Sequence, residues 1–177
     1  MLIKTIFSGF GGQGVIMMGY LLAMAGMYEE KNVTCLPSYG AEVRGGTANC
    51  TVVISNEEIA SPVASEPEYA VLMNNPSLFR FQNQVQSGGT IFLNSSMIEA
   101  RPIRGDLEIV VIPLNDLTKQ LPENKGTNMI MLGAFIKKTG LVSFETMIRV
   151  LKDTFGNRPA IFKTNKTALS LGYHYLE

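Results

Sequence analysis

An α/β domain in three layers, with a mostly parallel sheet and a helical C-terminal third, is the fold class this sequence predicts. Three observations carry it. Residues 2–7 (LIKTIF) form an apolar run of β-formers that leads through a glycine-rich turn, residues 9–14 (GFGGQG), into a long stretch of helix formers, VIMMGYLLAMAGMYEEK. Short apolar runs then recur between turn signals as far as Leu114, as expected for strands alternating with helices. From Asn128 onward the pattern is helical, with Gly140 and Gly156 as breaks. Strand, glycine turn and helix in that order open a βαβ unit. The expected architecture is therefore Rossmann-like, and 177 residues suit one domain over residues 1–177.

Each element has a local reason. The first strand stops at Ser8-Gly9, and the helix after the glycine turn is long enough for about four turns of good helix formers. Residues 32–36 (NVTCL) read as a second strand closed by Pro37, and residues 38–46 (SYGAEVRGG) as a loop. Residues 47–54 (TANCTVVI) form a strand by β-branching, and residues 59–63 form another short one. The strand over residues 68–73 ends on the turn signal Asn74-Asn75-Pro76. Ser77 is the expected N-cap of a short helix running through Gln86. Gly88-Gly89 turns into the strand TIFLN, and residues 107–114 (LEIVVIPL) supply one more. In the last third, Gly140 stops the helix over residues 128–139. Ser143, with Thr146, opens FETMIRVLKDTF, which Gly156 stops. Pro159 suits the start of the final helix, whose apolar positions include Ile161, Phe162, Ala168 and Leu169.

Composition removes several function classes. The formal net charge is +0 and the lysines and arginines are scattered, whereas a nucleic-acid partner needs a basic face. Hydrophobic residues make up 46% and charged residues 17%, which fits either a large core or a surface partly covered by partner chains. Two cysteines, Cys35 and Cys50, are too few for an iron–sulfur cluster, which takes about four thiolates. They also lack the CxxC spacing of zinc or redox sites, and their strand-like neighbours predict buried free thiols. No charged leader precedes the glycine turn, and no apolar run reaches the roughly 20 residues of a membrane span. The expected location is cytoplasmic, away from any membrane.

The hexapeptide Gly9-Phe10-Gly11-Gly12-Gln13-Gly14 matches GxGxxG between a strand and a helix. Glycines there let an anion reach main-chain amides, and the helix N-terminus adds unpaired N–H donors and a positive dipole end. A nicotinamide or flavin dinucleotide site would also require an acidic residue at the end of the second strand, to hold a ribose hydroxyl. That stretch reads Thr34-Cys35-Leu36-Pro37-Ser38. Three readings of the turn follow: a dinucleotide site, glycines that only allow tight strand–helix packing, and a site for some other phosphate-bearing group shared with a partner chain. The second candidate segment, SYGAEVRGG, sets Glu42 and Arg44 among Gly40, Gly45 and Gly46. Arg44 could pair bidentately with a phosphate or carboxylate. The alternative is a solvated loop with a local ion pair, worth about 0–1 kcal/mol.

Taken together, GFGGQG at residues 9–14, YGAEVRGG at residues 39–46 and the strand TANCTVVIS resemble the gamma domain of pyruvate, 2-oxoglutarate and branched-chain 2-oxoacid:ferredoxin oxidoreductases. Ser61-Pro62 and the strand end Phe92-Leu93-Asn94 continue the likeness, which covers essentially the whole chain. The resemblance implies a gamma subunit of an enzyme that oxidatively decarboxylates a 2-oxoacid with coenzyme A to an acyl-CoA and passes electrons to ferredoxin. It implies alpha and beta partners, and a delta ferredoxin-type partner, that carry thiamine diphosphate and iron–sulfur clusters. This chain would bind no cofactor alone and would share in shaping the coenzyme A pocket. On that resemblance Gly9, Gly11, Gly12, Gln13 and Gly14 are phosphate- or partner-facing, Arg44 orients the anion, Glu42 holds Arg44, and Gly45 and Gly46 complete the loop. No catalytic or metal-ligating residue is assigned, since Ser8 has no evident base and His174, the lone histidine, reads as a surface residue. The competing readings are a stand-alone NAD- or FAD-binding enzyme and a pure assembly scaffold. An isolated chain would be inactive; its oligomeric state is left open by the sequence, a two-fold dimer being the commonest form of self-association for a subunit deprived of its partners.

Overall fold

The computed structural model describes residues 1–40 and 47–176. Its central strand, β1 (Leu2–Phe10), pairs with β3 (Thr47–Ser55) on one side and with β4 (Tyr69–Leu72) on the other. Beyond β3 lies the edge strand β2 (Asn32–Tyr39). Beyond β4 come β5 (Thr90–Asn94) and the opposite edge, β6 (Glu108–Ile112). Only β3 runs against the rest, being antiparallel to both β1 and β2, so the sheet is mostly parallel as expected.

Side chains alternate across this sheet with a period of two, and each face has its own cover. Phe7, Val71 and Phe92 point into one core, closed by α1 (Val15–Tyr28), α4 (Thr127–Thr139), α5 (Phe144–Phe155) and α6 (Pro159–Tyr175). Ile6, Leu72, Ile91 and Leu93 point into a second, smaller core with Leu78 and Phe81 of α2 (Asn75–Phe81). The three-layer expectation is met. A short helix that the sequence reading missed, α3 (Leu114–Thr118), follows β6.

Helix α4 lies in the larger core between the sheet and α6, with eight consecutive residues buried from Met129 to Ile136. Gly172 of α6 sits against the Ile130 carbonyl and Gly133 of α4 against the Leu169 carbonyl, so close that a β-carbon at either would collide with backbone. Backbone cannot rotate aside as a side-chain tip can. Gly172→Val is therefore expected to destabilise the fold at the upper end of the range of about 1–3 kcal/mol seen for overpacking, read as a lower urea midpoint at unchanged slope.

Several local expectations are corrected. Pro37 does not close the second strand, which continues to Tyr39; an edge strand tolerates proline because one row of its amides faces away from the sheet. Residues 59–63 form no strand. The N-cap of α2 is Asn74, whose Oδ1 accepts from Ser77 N at 2.9 Å, and Pro76 sits in the first turn. Ser77 is instead buried inside the helix, its hydroxyl 2.9 Å from that of Ser8. The helix ends at Phe81 and a 3-10 turn (Gln82–Gln84) follows, short of Gln86. Ile161 is exposed, so the buried side of α6 is Ala168, Leu169 and Gly172. The cap of α5 is as expected, with Ser143 accepting from Thr146 N, and Gly140 ends α4 in the left-handed conformation. No helix among the described residues is long and apolar enough to cross a membrane.

Candidate functional site at the glycine turn

The chain leaves β1 at Phe10, turns tightly through a Gln13 N–H to Phe10 carbonyl bond of 3.1 Å, and enters α1 at Val15. Gly12 has φ +97° and Gly14 φ +73°, where other residues are strained, so both glycines are needed by the turn itself. Gly9 is needed for space: a β-carbon there would press on Met73 and Val15. Gly11 and Gly12 are exposed.

Gln13 turns inward. Its Oε1 accepts from Phe10 N at 2.6 Å and from Asn74 Nδ2 at 3.1 Å, and its Nε2 donates to the Met73 carbonyl at 3.4 Å. Asn94, at the end of β5, donates to the same carbonyl at 3.4 Å. The Gln13 amide therefore ties the turn to the carboxyl end of β4, and the turn presents main chain outward. Asn74 is a supporting residue, although in the sequence it reads only as part of a turn signal.

Two hollows meet at this turn. One, about 330 Å³, is polar and lies between Gly12, Gln13 and Gly14 on one side and Asn124, Lys125, Gly126, Thr127 and Asn128 on the other. The N-termini of α1 and α4 both open into it, each with a left-handed glycine at the N-cap (Gly14 and Gly126) and no side-chain cap. The first-turn amides of a helix have no partner within it and carry its positive dipole end. A phosphate-class anion suits that combination better than any neutral group. Asn128 lies so close to Gly14 that a β-carbon there would collide with its side chain. The contribution of α4 escaped the sequence reading, although the Gly126-Thr127-Asn128 start of a helix was a usable signal.

The second hollow, about 590 Å³, is apolar and shares Gly12 and Gly14 with the first. Phe10, Ile16, Met17, Tyr20, Met24 and Tyr39 supply most of its wall. Met17, Tyr20 and Tyr39 are exposed, with Tyr39 at 72%. Glu42, Arg44, Gly45 and Gly46 lie outside the described residues. The residues flanking them, Tyr39 and Ala48, pair across β2 and β3 and also border the apolar hollow.

The neighbour of β1 matters for what the turn can hold. A dinucleotide site uses the carboxyl end of an adjacent parallel strand to present its ribose-binding acid. Here β3 occupies that place and runs antiparallel, leaving β2 one strand further away. Fold and turn thus define a Rossmann-like α/β domain with an anion-ready glycine turn, outside the dinucleotide-binding arrangement.

The chain belongs to the pyruvate ferredoxin/flavodoxin oxidoreductase family, whose pattern matches residues 4–175. It is 34% identical over 172 residues to ketoisovalerate oxidoreductase subunit VorA of Methanothermobacter thermautotrophicus, covering 96% of this chain and 35% of that protein. It thus spans about a third of that relative's length. It is 30% identical over 169 residues to 2-oxoglutarate synthase subunit KorC of Methanocaldococcus jannaschii, covering 94% of this chain and 89% of the relative. The fold is shared with 2-oxoglutarate:ferredoxin oxidoreductase from Magnetococcus marinus, solved with 2-oxoglutarate, coenzyme A and succinyl-CoA bound. That match has TM-score 0.88 at 22% identity, over 97% of this chain and 30% of the other. The resemblance read from GFGGQG and YGAEVRGG is borne out at the level of the family.

Proposed function

We propose that this chain is the gamma-type subunit of a coenzyme A-dependent 2-oxoacid:ferredoxin oxidoreductase, one domain over residues 1–177, working in the cytoplasm beside alpha, beta and delta-type partners. Support comes from family membership and from KorC, a separate subunit of nearly matching extent. Thiamine diphosphate and iron–sulfur clusters belong to the partners, which supply the decarboxylation and electron transfer to ferredoxin. With two cysteines in all, this chain cannot furnish a cluster's ligands by itself.

The single observation that carries a binding role is the convergence of two uncapped helix N-termini on the polar hollow at Gly12 and Gly14. Main-chain amides there would hold a phosphate of coenzyme A, and Arg44 with Glu42 would orient it from the partner side. The apolar hollow next to it would take side chains of a partner subunit, which gives exposed Met17, Tyr20 and Tyr39 cover. Residues of this chain bind and orient; none is assigned a proton or a covalent bond.

The test is reconstitution. Co-expressed with the thiamine-binding subunits, the chain is expected to support acyl-CoA formation from a 2-oxoacid, while the purified chain alone is inert and binds neither NAD(H) nor FAD. Full activity of the partner subunits without this chain, or micromolar nicotinamide binding by it alone, would overturn the proposal.

A further inference from the structure

We propose that Cys35 and Cys50 are a redox-modification site that closes to an intramolecular disulfide by exchange with low-molecular-weight disulfides. Neither cysteine has the spacing of a familiar redox motif, but the hairpin of β2 and β3 brings them together. Cys35 faces Val52 in the ladder and Cys50 faces Pro37, so the two are diagonal neighbours on one face of the sheet. Both thiols are free, and their sulfurs lie 3.4 Å apart. A disulfide is about 2.0 Å long, so closure brings the two sulfurs little more than an ångström nearer to each other.

Their surroundings divide the labour. Cys50 is fully buried beneath α1, against Gly19. Cys35 is half-buried on the edge strand, packed at the margin of the same core, and is the more exposed of the two cysteines. Either sulfur can donate in the contact between them; a hydrogen bond from Cys50 favours the charged form of Cys35 and brings its pKa down to about 7 against the opposing effect of burial. The same hydrogen bond, followed by burial and the charge of Cys35, pushes Cys50 up. A thiol whose pKa lies near ambient pH is the best placed to attack a disulfide.

The Cys35 thiolate attacks one sulfur of R–S–S–R; that bond breaks, one RS⁻ leaves, and a mixed disulfide forms on Cys35. With the Cys35 charge and hydrogen bond gone, two of the three causes holding Cys50 protonated are removed. Cys50 gives its proton to solvent and attacks the Cys35 sulfur, expelling a second RS⁻. Two protein thiols lose two electrons together, and one external disulfide becomes two thiols. The product ties the edge strand β2 to β3 and closes a ring around residues 36–49, which include Glu42 and Arg44.

Glutathione is the probe. The full-length chain is equilibrated without oxygen in reduced and oxidised glutathione at set ratios, quenched in acid, and mapped by peptide mass. Both thiols are expected to disappear together, giving one linked Cys35–Cys50 species two hydrogens lighter, reversed by dithiothreitol. Cys50→Ala should accumulate a stable glutathione adduct at Cys35. The rate of Cys35 alkylation by iodoacetamide should rise with pH to half its maximum near 7, with roughly fifteen times the thiolate fraction of an ordinary thiol at that pH. Three results would each sink the inference: both wild-type thiols surviving oxidised glutathione, a stable adduct on wild-type Cys35, or a linkage between chains.

Discussion

Phe135→Ala is expected to lower the unfolding free energy by about 3–5 kcal/mol, the cost of emptying a buried aromatic site in a packed core. Phe135 is fully buried on α4 and touches three other rings: Phe7 of β1 at 5.6 Å, Tyr69 of β4 at 5.7 Å and Phe92 of β5 at 5.2 Å between centroids. Tilted and edge-on pairs of this kind add about 0.5–1.5 kcal/mol each beyond the area they bury. One side chain thus joins three parallel strands to the helix whose N-terminus lines the polar hollow. Urea denaturation of the purified chain measures the loss, and Phe135→Leu should recover most of it. A loss below about 1 kcal/mol, the average for arbitrary substitutions, would mean that α4 does not sit on these rings.

Gly12→Asp is expected to raise the KM for coenzyme A of the assembled complex tenfold or more, with little change in the yield of complex. A β-carbon at Gly12 meets open space, so the fold carries only the strain of φ +97°, about 1–3 kcal/mol for a residue outside its favoured region. A carboxylate at the rim of the polar hollow would repel a phosphate, and each tenfold in affinity corresponds to about 1.4 kcal/mol. Gly12→Asn is the control, because asparagine has nearly the size of aspartate and carries the same backbone strain without the charge. Its KM should stay within a few-fold of wild type, and added salt should narrow the gap between the two variants. If Gly12→Asp instead spoils assembly while leaving KM untouched, the turn contacts protein only, and the scaffold reading replaces the phosphate one.

Much of the fold was legible where chemistry is local. The run LIKTIF, the glycines after it and the apolar helix that follows dictate β1, the turn and α1, because a glycine at positive φ and a long stretch rich in helix formers, interrupted by Gly19 and Gly26, leave the backbone few alternatives. Ser143 capping Thr146 N and Gly140 ending α4 were readable for the same reason. Ser77 was misjudged because two good capping residues stood three apart, and the choice of Asn74 fell to burial of the Ser77 hydroxyl against Ser8.

Contacts between residues far apart in the chain were decided by tertiary structure. Few residues separate β2 from β3, too few for a crossover, so β3 must return as a hairpin between β2 and β1; that places an antiparallel strand where a dinucleotide fold has a parallel one. The same hairpin sets two cysteines fifteen positions apart with their sulfurs 3.4 Å from each other. The junction of Gly14 with Asn128 and the tight crossing of α4 and α6 at Gly172 are equally invisible to periodicity. Hydrophobic spacing says which face of an element is buried, but the partner on that face is chosen by chain connectivity and by the volume each side chain must fill.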